Sequence, residues 1–238
     1  MQVLPEEAVS VAVAVHEGPA REQNRRRRRP WYVELPVMIA VGLVIAVLIK
    51  TFLFQMFSIP SGSMENTLQV GDRVAVNKLA AHTGWRPEPG EPVVFKDPGG
   101  WLPPAPKGGN PVSGALHSGL SAVGLLPPGD DYLVKRVIAT GGQRVACHGS
   151  TLTVDGRTVA EPYLHPGDDS CAGMDFGPVT VPAGHVWVEG DHRSDSADSR
   201  YHREDANGGA VPVGNLVGPA SAVVWPLGHF DWFGWTGR

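Results

Sequence analysis

The strongest pattern in the chain is an apolar run. Residues 35–49 read LPVMIAVGLVIAVLI without a charge, and the run extends over 31–56 with only Glu34 and Lys50 interrupting it. That length suffices for one helix across a hydrocarbon core of about 30 Å. Lys50 lies near the far end, where its long side chain can reach the headgroups. Trp31 and Tyr32 on one side, and Phe52, Phe54 and Phe57 on the other, suit the two interfaces. From residue 57 onward the period changes. DRVAV (72–76) alternates, PVVF (92–95) is a short apolar run, and YLVKRVI (132–138) is a further strand candidate. TLTVDGRTV (151–159) sets Asp155-Gly156 between β-branched stretches, the signal of a two-residue hairpin. VTV (179–181), HVWV (185–188), NLVG (215–218) and SAVVW (221–225) follow, with Gly or Pro between them. This spacing predicts an all-β domain over 57–238. Residues 97–131 break the pattern: DPGGWLPPAPKGGNP reads as an exposed loop, and VSGALHSGLSAVGLL as a short helix or variable insertion. The tail HFDWFGWTGR holds Phe230, Trp232, Phe233 and Trp235, which suit either core packing or a bilayer surface.

Charge orients the apolar run. Arg21 and the block Arg25–Arg29 precede it, and the flank beyond it is far less basic. The basic side stays cytoplasmic, so residues 1–30 are expected to be a disordered cytoplasmic arm and the β domain to lie outside. A cleaved signal peptide has the same charge order but needs small residues after its apolar core. Here Phe52, Leu53, Phe54, Met56 and Phe57 follow instead, which favours an uncleaved anchor in the cell membrane. The net charge of −4 gives no reason to expect a nucleic-acid partner. Cys147 and Cys171 could form a disulfide in an oxidising compartment or remain buried thiols; both readings stay open.

Three stretches are rich in candidate chemistry. FSIPSGSMENTL (57–68) places Ser61 and Ser63 around a glycine just beyond the apolar run. A serine needs a neighbour to take its proton, and no His-Asp arrangement points clearly to this pair. A lysine kept neutral by burial is the other option. Of the five lysines, Lys50 is at the membrane edge, Lys96 precedes Asp97, and Lys107 is in the Pro/Gly loop. Lys78 and Lys135 remain. A regular strand would put Lys135 on one face with Leu133 and Val137, and Lys78 on one face with Val74 and Val76, so pattern alone does not choose. The third stretch is GDHRSDSADSRYHRED (190–205). It reads as a solvated loop, a His/Asp metal site, or an ion-pair network that positions a catalytic group. Its spacing fits neither an EF-hand loop nor a common zinc motif.

These stretches, in this order after one apolar anchor, resemble the bacterial type I signal peptidases, membrane-bound proteases with a Ser-Lys dyad. The matching blocks are PSGSM with TL (60–64, 67–68), GDRVAVNK (71–78), KRV with GG (135–137, 141–142) and GDHRSDSADSR (190–200). The resemblance implies Ser63 as nucleophile and Lys135 as general base. Ser61 and the Ser63 backbone N–H would form the oxyanion hole, and Ser196 would orient the lysine. Phe57, Ile59, Pro60, Met64, Leu68 and Val134 would line the substrate pockets. Arg136, Asp191, Arg193, Asp198 and Arg200 would form a supporting ionic network. It further implies a β-rich, mostly antiparallel extracytoplasmic domain, no metal or cofactor, and signal peptides of exported preproteins and the lipid bilayer as partners. Two departures stand out: Asn66 replaces the family's usual proline, and Gln143 its usual aspartate after the Gly pair. The first is expected to loosen the turn after the nucleophile and the second to remove an ionic contact. An inactive signal-peptide-binding homologue and a self-cleaving or regulatory Ser-Lys protease are the alternative functions; both Ser63 and Lys135 are present, which argues against the first.

Overall fold

The computed structural model describes residues 31–52, 54–103 and 131–233. The expected basic arm (1–30), most of the expected insertion (104–130) and Trp235 lie outside the described residues. The chain divides into two compact units, Met1–Ala40 and Val41–Arg238.

Helix α1 spans Trp31–Phe52. Its side chains are described for Tyr32 and residues 34–46, and all of these are exposed. Leu35, Val37, Met38, Ile39, Val41, Leu43, Val44 and Ile45 each show 50% or more of their surface. Among the described residues no helix is long and apolar enough to cross a membrane. The helix ends at Phe52 and strand β1 (Phe54–Ser58) follows, so residues 54–56, read from sequence as the end of the apolar span, are strand.

The remaining elements are β2 (Arg73–Asn77), α2 (Lys78–His82), β3 (Pro92–Lys96), β4 (Tyr132–Thr140), β5 (Arg144–His148), β6 (Thr151–Val154), β7 (Arg157–Thr158), β8 (Phe176–Thr180), β9 (His185–Glu189), β10 (Val211–Pro212), β11 (Leu216–Trp225) and β12 (Asp231–Trp232). They build an eight-stranded sheet in the order β1-β2-β11-β3-β4-β9-β10, with β12 on β11, and a four-stranded sheet in the order β7-β6-β5-β8. The pairings are antiparallel throughout. The mostly antiparallel β architecture expected from the sequence is present.

Local chemistry explains the joints. Asp155 and Gly156 form the β6–β7 hairpin with φ of 52° and 75°, the left-handed pair that a two-residue turn requires. The long strand β11 pairs with β3 through Leu216–Pro219 and with β2 through Ala220–Trp225. At this handover Gly218 has φ 153°, and a Cβ there would stand 2.3 Å from the Asn77 carbonyl oxygen, so only glycine fits. The strand β2 stops at Asn77, whose side chain accepts a hydrogen bond from the Ala80 N–H and caps α2. The expectation that Lys78 continues the face of Val74 and Val76 is therefore corrected: Lys78 opens a helix.

The apolar runs are explained by burial on both faces. Val93 and Phe95 pack in one cluster with Val137, Val186, Val188 and Val211, while Val94 packs in another with Phe57, Met64, Val74 and Val76. A strand covered on both sides has no reason to alternate. Trp101 also belongs to the first of these clusters and is 8% exposed. The start of the expected exposed loop is thus packed, held by the Asp97 carboxylate, which accepts from the N–H groups of Gly99, Trp101 and Leu102. A third cluster gathers Ile138, Leu152, Phe176 and Trp187 around Cys147 and Cys171.

Cys147 and Cys171 are disulfide-bonded, which decides between the two readings left open by the sequence. The bond closes a loop with a sequence separation of 24 residues and ties β5 to the segment before β8. Replacing both cysteines by serine is expected to lower stability by about 3 kcal/mol. Denaturant titration of the variant against the oxidised wild type checks this, and reduction of the wild type should shift the midpoint in the same direction.

Candidate active site

The stretch 57–68 is fixed from both ends. Beyond β1, the Ile59 N–H donates to the Asp72 carbonyl (2.9 Å) and the Gly71 N–H to the Ile59 carbonyl (2.8 Å), which prolongs the pairing with the β2 side. The chain then makes one 3-10 turn, Gly62–Met64. Ile59, Met64 and Leu68 are buried in the same apolar cluster. The apolar residues on each side of the serine pair thus anchor the turn, and Ser63 is held at its bend.

Lys135 reaches that bend from the middle of β4. It is 3% exposed, and its Nζ stands 2.5 Å from Ser63 Oγ. Burial lowers its pKa from the usual lysine value to about 8, against the pull of Asp198, which favours the charged form. Ser61 Oγ lies 3.4 Å from Ser63 Oγ. The two serines and the lysine, far apart in sequence, meet in one place.

The loop 190–200 closes the site from the other side. The His192 N–H donates to the Ser63 carbonyl at 3.2 Å. At Gly190 the two segments approach most closely: a Cβ there would lie 2.4 Å from the Ser63 carbonyl oxygen and 2.3 Å from Ser196 Oγ. Asp198 organises the loop. Its carboxylate accepts from the Gly190 N–H (3.0 Å), from Ser196 Oγ (2.7 Å) and from Arg200 Nε and Nη2 (both 2.9 Å). Burial opposes the Asp198 charge, yet these donors hold its carboxyl below the ordinary value. The Ser196 hydroxyl, expected to orient the lysine, donates to Asp198. Because it donates there, its lone pairs stay available to accept.

The expected ionic network falls into two parts. In the first, Arg136 Nε and Nη2 donate to the two oxygens of Asp191 at 2.7 and 2.5 Å, and Nη1 donates to the Gly90 carbonyl at 2.6 Å. The Thr67 hydroxyl donates to Asp191 as well, and the Tyr163 ring covers the guanidinium at 3.9 Å. In the second, Arg193 pairs with Glu161 and Glu189, and Arg200 with Asp198. Glu189 is fully buried; burial raises its carboxyl to about 7 against the pull of Arg193, and Trp187 Nε1 donates to it at 2.8 Å. Asp191 and Asp198 are thereby engaged by arginines, which removes them from any metal site built from loop 190–205. Glu161 and Glu189 were not singled out in the sequence, and Thr67 only as part of a matched block. Glu161 comes from a separate loop, and the strand end HVWVE gives no sign that its glutamate is buried.

A cavity of about 430 Å³ opens beside the pair. It is lined by Ser61, Ser63, Lys135 and Ser196 together with Trp101, Leu102, Leu133, Ala197 and Tyr201. Leu133 shares this lining with Lys135, as the strand-face reading anticipated. The residues expected to form substrate pockets lie outside this lining. Phe57, Ile59, Met64 and Leu68 are buried in a core cluster, Val134 packs against it, and Pro60 is exposed; none of them lines this cavity. Trp101 and Tyr201 do line it and were missed, because one lies in a Gly/Pro-rich loop and the other just past the matched block 190–200.

Neither departure from the family pattern leaves slack. Asn66 adopts φ 87°, a conformation closed to proline, and its amide donates to the carbonyls of Tyr163 and Leu164, both at 3.1 Å. Gln143 accepts from the Thr140 N–H at 2.8 Å and donates to Asp155 at 3.3 Å, so it caps the β4–β5 turn.

Comparison with known proteins identifies the family. The family described as "Signal peptidase, peptidase S26" matches residues 32–225. A probable signal peptidase I of Mycobacterium leprae is 41% identical, covering 93% of this chain and 83% of its own. Signal peptidase I of Mycobacterium tuberculosis is 42% identical over 86% of this chain and 76% of its own. Among solved structures, a signal peptidase I from Enterococcus faecalis aligns at 21% identity and a TM-score of 0.35, covering 56% of this chain and 96% of that one. On the family match and the two mycobacterial relatives, the chain belongs to the signal peptidases of family S26 and is a serine peptidase.

Proposed function

We propose that this protein is a membrane-anchored endopeptidase that removes signal peptides from exported preproteins through a Ser63–Lys135 dyad. The observation that carries the reading is the 2.5 Å approach of a buried, pKa-lowered Lys135 to Ser63 Oγ. With its amine neutral, Lys135 accepts the Ser63 proton as Oγ attacks the scissile carbonyl. The tetrahedral oxyanion forms between the Ser61 hydroxyl and the Ser63 N–H. The protonated lysine then returns its proton to the leaving amine, which departs and leaves an ester on Ser63. A water deprotonated by the same lysine hydrolyses that ester. Ser196 serves to accept from the lysine, with Asp198 and Arg200 fixing its hydroxyl.

Substrate geometry follows from the sheet. The strand β1 is at the end of the eight-stranded order and, among the described residues, pairs with β2 alone, so its other edge can add an extended peptide by backbone hydrogen bonds. The peptide's small side chains next to the scissile bond would face the cavity beside Ser63. The anchor reading rests on the exposed apolar surface of α1 and the arginine block before it. Phe54, Met56, Trp225, Leu227, Phe230 and Trp232 are also exposed, on β1, β11, β12 and the turn between the last two, and suit contact with a bilayer surface. The disulfide fits an oxidising, extracytoplasmic location. A tethered site meets signal peptides held in the same bilayer at high effective concentration.

Cleavage of a detergent-solubilised preprotein tests the dyad. Ser63→Ala and Lys135→Ala are each expected to lower kcat by about a thousandfold or more, while Lys78→Ala keeps the wild-type rate. Full activity in Lys135→Ala would remove the proposed base. The neutral lysine is the active form, so kcat/KM should rise with pH and level off above about 8. A profile that falls across this range would contradict the assignment.

A further inference from the structure

Apart from the Ser63–Lys135 pair, three ligand-type side chains converge from separate stretches. Glu65 stands in the turn after Ser63, His165 in the loop before Cys171, and His192 in the loop after β9. One donor atom from each lies within 4.8 Å of the other two. The two imidazoles stack with centroids 3.9 Å apart and planes 17° apart. His192 Nδ1 is buried without a hydrogen-bond partner and faces a Glu65 carboxylate oxygen at 3.5 Å. A buried ring nitrogen left unpaired is costly.

We propose that Glu65, His165 and His192 form a binding site for a divalent transition-metal cation of the zinc type. A cation supplies the missing partner to His192 Nδ1. Two imidazoles and one carboxylate form a donor set that zinc accepts, with water completing the coordination. Ligands at the usual distances of about 2.0–2.2 Å stand closer together than 4.8 Å, so binding draws the three inward. Glu65, with a side chain 39% exposed, has room to move. Both histidines are already tied to the site by their backbones: the His165 N–H donates to the Asp191 carbonyl at 2.9 Å and the His192 N–H to the Ser63 carbonyl at 3.2 Å. The Asp168 carboxylate, held by the Ser194 hydroxyl at 2.7 Å, adds negative charge beside the two rings. The ion cross-links the turn that carries Ser63 to the loop that carries Ser196. It takes no part in proton transfer, and the site does not depend on the peptidase reading.

Calorimetric titration of the chelator-treated, full-length protein in detergent with zinc chloride tests the proposal. The expected result is binding of one zinc per chain with a Kd in the micromolar range or below. Glu65→Gln and His165→Ala each weaken it about tenfold or more. His148→Ala, which removes an exposed histidine beside Asp175, leaves it unchanged. Zinc at a hundredfold excess over Kd raises the wild-type Tm by roughly 5 °C or more, and the Tm of the two site variants by less. The zinc-free Tm of each variant reports that it is folded; if His165→Ala is not, the partly exposed Glu65→Gln decides. Absence of stoichiometric binding, or a Kd and Tm shift unchanged in Glu65→Gln, overturns the site. Preprotein cleavage plays no part in this readout, so failure of the peptidase reading and failure of the cation site are separate results.

Discussion

A lysine amine becomes neutral near physiological pH only where water is kept from it, and most of this domain can be understood as the means of keeping water from Lys135. The side chain extends from the interior of a sheet covered on both faces, with Val93 opposite it in β3 and Leu133 and Val137 beside it in β4. Desolvation there outweighs the neighbouring carboxylates, which act to keep the proton on. A surface lysine at the same distance from a serine would remain an ammonium and could not accept a proton.

That burial carries a structural demand. Charges close to Lys135 must be neutralised without giving the lysine an ion-pair partner of its own. Asp198 answers to Arg200, Asp191 to Arg136, and Glu189 to Arg193. Arg193 serves Glu161 as well. Breaking one such buried pair costs several kcal/mol, because the remaining charge is left in low dielectric. The ionic density of 190–200 is thus a condition for a neutral amine at its centre, and the disulfide-clamped cluster around Trp187 and Phe176 forms the support on which that loop rests.

Close approach is the second constraint. Gly190 and Gly218 stand where two backbones nearly touch, each with less than 2.5 Å available for a Cβ. The first lets the loop of Ser196 close on Ser63; the second lets β11 serve β2 and β3 in turn. Asn66 is a related case. In the left-handed region its amide ties the turn after Ser63 to the 163–164 segment, so the position expected to be loose is one of the fastened points.

Much was legible from the sequence because the relevant forces are local. The apolar run, the strand spacing, the Asp155-Gly156 hairpin and the serine pair each declare themselves within a dozen residues, where period and turn chemistry act. The motif blocks in order carried the family, and with it Ser63 and Lys135. What needed the tertiary structure was every choice between equals. Lys78 and Lys135 have the same strand pattern; the resemblance alone points to Lys135, and the cap at Asn77 and the packing of β4 give the physical difference. Two cysteines give no pairing until β5 and the 171 loop are brought together. Trp101 and Tyr201 border the cavity, and Glu65, His165 and His192 converge, through contacts between segments up to a hundred residues and more apart. Desolvation, ion pairing and ligand geometry depend on distance in space, and no window along the chain measures that distance.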